Sequence, residues 1–129
     1  MTQEEKDLLY KYLCMALPYK VIIQEFDDEY GYNDYELKSI ESDYFSENDP
    51  CIEGWYLNRI ENVKPYLRPM SNMTEEEKKE YFNRTMTIDI VKTSKEVIDY
   101  CLSNHFDFMG LIPKGMAIEV TEENNPYKE

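Results

Sequence analysis

Two prolines and a helix-start signal lie close together in the stretch Lys64 to Tyr81, KPYLRPMSNMTEEEKKEY, and they constrain the chain more than any other feature. Pro65 and Pro69 each fix φ at about −65° and remove a backbone donor, so Lys64 to Met70 reads as a stiff connector with Tyr66 and Leu67 as its apolar contacts. Thr74 then opens a helix. Its hydroxyl accepts from the Glu77 amide while the Glu77 carboxylate reaches back to the Thr74 amide, and Glu75 and Glu76 fall in the first turn, where the helix dipole favours negative charge. Tyr81 and Phe82 follow a highly charged first turn, which predicts a helix touching the core along one edge. The same chemistry stands at Thr2 to Glu5. The string Met-Thr-x-Glu-Glu-Lys at Met1 to Lys6 and Met73 to Lys78 is two copies of one helix start and not a repeat, because the residues beyond it differ.

The remaining elements are predicted from periodicity. Leu9, Tyr12, Leu13 and Ala16 share one helical face, and Pro18 ends that helix. Val21 to Phe26 is β-branched and apolar and reads as a strand; Asp27 to Asp34 reads as a loop turning at Gly31, and YELKSI at Tyr35 to Ile40, where Tyr35 and Leu37 alternate with Glu36 and Lys38, as a strand antiparallel to the first. Glu41 to Glu53, polar and broken at Asn48-Asp49-Pro50, reads as a surface loop, and Gly54 to Ile60 as a third strand. Thr87 to Val91 suggests a short strand or extended lead-in. Thr93 to Glu96 suggests a third capping box, ahead of a helical stripe of Val97, Ile98, Cys101 and Leu102 that stops at Ser103-Asn104 with Asn104 left-handed. The aromatic density of His105 to Ile112 predicts a segment that packs back on the core, turning from Asp107. Pro113 to Gly115 turns the chain into a last strand, Met116 to Val120, and Thr121 to Glu129 is expected to fray. The fold class expected is α+β: one domain over residues 1–129, with about three helices packed on one face of a small, mainly antiparallel sheet.

Charge narrows the function classes. The 129 residues carry a net charge of −13, and Glu25 to Glu53 holds eleven acids against the single base Lys38. That excess argues against direct binding of nucleic acid phosphates or anionic membrane and for a basic partner. No apolar run approaches the roughly 18 residues of a membrane span. The N-terminus carries acids where a signal peptide needs bases, and Cys14, Cys51 and Cys101 form neither a CxxC pair nor a disulfide framework, so reduced thiols of a cytoplasmic protein are expected.

Three segments resemble known sequences: LPYKV at Leu17 to Val21, KPYLRPMSNMTEEE at Lys64 to Glu77, and NHFDFMGLIPKGMAIE at Asn104 to Glu119. Together they look like small acidic proteins of unknown function from phages and prophages of gut bacteria. The resemblance covers about half the chain and implies a mobile-element accessory protein, with no catalytic residue to carry over.

Catalytic chemistry finds little support. His105 is the sole histidine, at a helix end beside Phe106, where it reads as a capping or packing residue. Cys101 is spaced to meet it but lies on the apolar stripe, as a buried structural cysteine would. DDEYGYNDYE lacks the spacing of a calcium loop, the four glycines form no phosphate loop, and no compact set of ligands predicts a metal or cofactor. The leading reading is a non-catalytic accessory or inhibitory protein that binds a basic protein through an acidic, aromatic-rich surface, presenting carboxylates where nucleic acid phosphates would go. Its expected contact residues are Asp27, Asp28, Glu29, Tyr30, Tyr32, Asp34, Glu36, Asp43, Tyr44, Glu47 and Asp49. The alternative is a small enzyme or ligand-binding domain with a pocket near His105.

Overall fold

The structure, a computed structural model, describes residues 1–46, 49–55, 57–85 and 90–128; for 42–46, 49–50 and 90–93 it describes the backbone alone. Among these residues three α-helices and seven strands form an α+β fold. Helix α1 (Gln3–Ala16) begins at the expected capping box: the Thr2 hydroxyl accepts from the Glu5 amide at 3.1 Å, and the Glu5 carboxylate accepts from the Thr2 amide at 2.9 Å. Its face of Leu9, Tyr12, Leu13 and Ala16 is fully buried. After a short 3-10 turn containing Pro18, left-handed Lys20 reverses the chain.

Strands β1 (Ile22–Asp27) and β2 (Gly31–Glu36) form an antiparallel hairpin in unbroken register from Ile22↔Glu36 to Asp27↔Gly31. The loop expected up to Asp34 is therefore shorter. Asp27 accepts from the amides of Glu29 and Tyr30 at 2.7 and 3.0 Å and closes the turn, and Gly31 supplies the positive φ that starts β2. The expected surface loop over 41–53 is also corrected. Strands β3 (Ser39–Ser46), β4 (Asp49–Glu53) and β5 (Leu57–Arg59) form a second, antiparallel sheet in which Ile40 opposes Ile52. The density of acids hid two buried residues, Cys51 and Ile52, that anchor this sheet to the core.

The proline-bracketed segment is a strand and not a connector. Strand β6 (Val63–Leu67) lies between β1 and β7 (Ile118–Glu119), giving the order β2-β1-β6-β7. Pro65 opposes Ile23 across the antiparallel pair, while parallel pairing to β7 begins only at Tyr66. The nitrogen that lacks a proton thus faces the side where β7 has not yet started, so no rung is lost. The expected last strand, Met116 to Val120, shrinks to the two residues of β7.

Helix α2 (Glu75–Thr85) starts at the second capping box, with Glu77 N to Thr74 Oγ1 at 3.1 Å and Thr74 N to Glu77 Oε1 at 2.9 Å. Glu77 also receives both terminal nitrogens of Arg68, at 2.7 and 2.8 Å. That fork holds the helix start to the end of β6 and keeps the Glu77 carboxyl below its usual range. Thr74→Ala should therefore cost about 1 kcal/mol by chemical denaturation, through the cap alone. A loss of partner binding with an unchanged unfolding curve would show that Thr74 does more than cap.

Helix α3 (Ile90–Ser103) begins before the third expected capping box, so Thr93 to Glu96 lies inside the helix and not at its start. Of the short strand expected over Thr87 to Val91, Ile90 and Val91 are helical and the rest lies outside the described residues. The sequence carries the reason: Ile90, Val97 and Cys101, like Val91, Ile98 and Leu102, repeat at helical spacing and override β-branched propensity. The left-handed residue after α3 is His105, with φ 60°, and not Asn104. Beyond it, the Asp107 carboxyl accepts from Leu111 N at 2.7 Å and Ile112 N at 2.9 Å, which folds the segment so that Phe106 and Leu111 are fully buried.

Helix α1 packs on the inner face of the four-stranded sheet, where Ile23, Val63 and Leu67 meet its apolar side along with Ile52 and Ile60. A smaller cluster of Tyr100, Cys101 and Phe106 joins α3 to Met70, Met73 and Tyr81. Residues 121–128 do not fray. The Tyr127 hydroxyl donates to the Tyr66 carbonyl at 2.8 Å and accepts from Ile22 N at 3.0 Å, filling the next position on the β1–β6 ladder.

Candidate functional site

Opposed residues in an antiparallel pair share a face. The outer face of the four-stranded sheet therefore carries Ile22, Gln24 and Phe26 of β1, Tyr32, Asp34 and Glu36 of β2, and Lys64 and Tyr66 of β6. α1 lies on the opposite side. Tyr32 is 69% exposed, with Phe26 beneath it at 5.1 Å between ring centroids. The Tyr66 hydroxyl donates to Asp34 at 2.7 Å and accepts weakly from Gln24 at 3.4 Å. Burial and then the Asp34 carboxylate push the Tyr66 phenol up to about 12, so it stays a donor and holds Asp34 in place.

At the tip of the hairpin Asp28, Glu29 and Tyr30 are exposed, and the Tyr30 ring lies 6.5 Å from Trp55, itself 55% exposed. Trp55 is set by a residue counted in sequence as part of the acidic surface. Glu25 is fully buried: one carboxyl oxygen accepts from Trp55 N at 2.7 Å and the other from Asn58 Nδ2 at 2.9 Å, which ties β1 to the 54–58 segment.

The expected contact residues thus divide. Asp28, Glu29, Tyr30, Tyr32, Asp34 and Glu36 form a connected exposed surface, and Asp27 is a turn cap. Asp43, Tyr44 and Asp49 belong to the β3–β4 hairpin with their side chains outside the described residues, and Glu47 lies outside them altogether. Sequence reasoning missed Lys64, a base on the same face. The strand period would have exposed it had Val63 to Leu67 been read as a strand.

His105 borders a second feature, a polar cleft of about 530 Å³ lined among others by Arg68, Asn72, Asn104, Tyr127 and Lys128. Its Nε2 lies 3.0 Å from the Tyr19 carbonyl, which can only accept, so Nε2 carries the proton and Nδ1 is the acceptor. The ring stacks on Tyr127 at 3.9 Å, and burial holds the imidazole below its ordinary value and neutral. Neither Ser103 nor Cys101, at the end of α3, is an activated nucleophile. Ser103 donates to the Tyr100 carbonyl at 3.1 Å, and burial pushes the Cys101 thiol up to about 11. The left-handed backbone at His105 takes it off the helical path that spaced it against Cys101.

Among the described residues no three His, Cys, Asp or Glu side chains are grouped to hold a metal ion, and no helix is long and apolar enough to cross a membrane. No protein-family model, curated protein or solved structure matches the chain.

Proposed function

We propose that this protein is a non-catalytic accessory or inhibitory protein of a mobile element, which binds a basic protein partner through the acidic, aromatic surface of the β1–β2 hairpin. The observation that carries this reading is Tyr32, an aromatic ring 69% exposed on the open sheet face with Asp34 and Glu36 beside it. Aromatic anchors inside a field of one sign combine desolvated contact with fast, steered association. Carboxylates on a rigid strand can stand where phosphates would sit on a cationic target. The resemblance of three segments to phage and prophage proteins supports the accessory role.

Charge reversal tests it. Asp34→Lys and Glu36→Lys together should slow association with a basic partner captured from the host by about tenfold at low ionic strength and flatten its salt dependence. Glu122→Lys with Glu123→Lys serves as the control. Equal behaviour of the two pairs, with both proteins folded, would leave the acidic surface as a solvating one.

A second reading, a small enzyme or ligand-binding domain, is favoured by the cleft beside His105. With the imidazole proton held by Tyr19 and neither Ser103 nor Cys101 activated, that cleft supports binding of a small polar molecule better than catalysis. A ligand held there would raise the melting temperature, and Lys128→Ala would reduce the rise.

A further inference from the structure

Strand β2 is the outer strand of its sheet among the described residues, and its six residues pair with β1 without a bulge. It contains no proline and no lysine, two of the devices that commonly block an open strand edge. The hydrogen-bond phase of the hairpin gives the direction of every backbone group. Leu37 N donates to the Val21 carbonyl at 2.9 Å, so Val21 and Leu37 are a hydrogen-bonded pair, and such pairs alternate along an antiparallel ladder. Tyr35, Asn33 and Gly31 therefore face β1. Tyr32, Asp34 and Glu36 turn their N–H and C=O groups to the free edge, and the same three residues place their side chains on the outer face.

We propose that this edge is the docking site of the partner: an extended, lysine- or arginine-bearing segment that adds to β2 as a further strand. The inference rests on the proposed function and specifies its mode. An added strand would take up to three outward donors and three outward acceptors, and its cationic side chains, at every second residue, would stand opposite Asp34 and Glu36 and over the Tyr32 ring. Charge also selects against a second copy of this chain. Two β2 edges paired antiparallel about Asp34 would bring Asp34 against Asp34 and keep Glu36 of each copy on one crowded acidic face. A basic strand turns the same groups into favourable pairs.

The probe is a synthetic nine-residue peptide alternating lysine and valine, together with two N-methylated forms, one modified at the lysines and one at the valines, so that each has one edge that cannot pair. The unmodified peptide should bind at low salt and protect the Tyr32, Asp34 and Glu36 amides from hydrogen exchange, leaving the Asn33 and Tyr35 amides unchanged. N-methylation along the pairing edge should weaken binding by about tenfold or more. Glu36→Pro should do the same, because it deletes an outward donor that β1 does not use, whereas Glu36→Gln should alter mainly the salt dependence. Equal binding of both N-methylated registers and the parent peptide would overturn strand addition while leaving the acidic contact surface standing. Absence of binding by every peptide at low salt would overturn both. Concentration-dependent dimerisation that protects the same three amides would assign the edge to a second copy instead.

Discussion

Gly54→Ala is expected to destabilise the protein by about 3 kcal/mol, more than an ordinary surface change, although Gly54 lies in an irregular stretch between strands. Gly54 is buried, and its backbone φ is not in the left-handed region, so the cost is steric. A Cβ at this position runs into the Glu25 carboxyl and comes within 3.1 Å of Ile23 Cδ1. Glu25 cannot step aside cheaply, because its two oxygens are held by Trp55 N and Asn58 Nδ2 inside the core. Moving it would break two hydrogen bonds, the one from Asn58 Nδ2 in the buried interior. Trp55 is the sole tryptophan, so its fluorescence reports this joint directly. Urea unfolding of Gly54→Ala should show a lower midpoint and a shifted native emission. A stability within about 0.5 kcal/mol of the parent, with unchanged emission, would mean that Glu25 is not the bolt between the two sheets.

That joint marks the limit of what the sequence made legible. Local signals were read well where the chemistry is local: both occupied capping boxes, the helix stop at Pro18, the turn at Gly31 and the return of His105 to Ile112 all follow from neighbouring residues. Errors arose where tertiary pairing overrides local composition. Pro65 reads as a breaker until it is known that its nitrogen faces the side on which β7 has not begun. Cys51 and Ile52 are two apolar residues in an acidic run, too few to announce a strand, yet one buried isoleucine suffices to anchor a hairpin to a core. Glu25 is indistinguishable in sequence from the acids of the turn that follows it. Of the candidate site, the exposed surface of Asp28 to Glu36 was legible from charge and aromatic content. The direction of its backbone edge was not, because it depends on the phase of hydrogen bonding with β1.

Tyr127→Ala should cost about 3 kcal/mol, although the sequence gives no sign that anything past Val120 is held. The β1–β6 ladder ends at Ile23↔Pro65, and the next hydrogen-bonded position would join Ile22 N to the Tyr66 carbonyl. The Tyr127 hydroxyl sits in that position, accepting from one and donating to the other, while its ring covers His105. Burial drives its phenol far above the ordinary value, so the hydroxyl remains a donor throughout the working pH range. Tyr127→Phe keeps the stack but orphans both backbone groups, and should cost about 1 to 2 kcal/mol. The alanine variant carries a further signature in pH. Burial lowers the His105 value in the folded state below its ordinary 6.5, so the unfolded chain takes up that proton first as pH falls. The His105 contribution is complete above pH about 6.5 and is lost as pH drops toward the lower folded value. Removing the ring re-exposes the imidazole and should flatten that part of the profile. Unfolding measured from pH 8 to pH 5 checks both effects: a small loss of stability with an unaltered slope below pH 6.5 would show that residues 121–128 do not clasp the sheet.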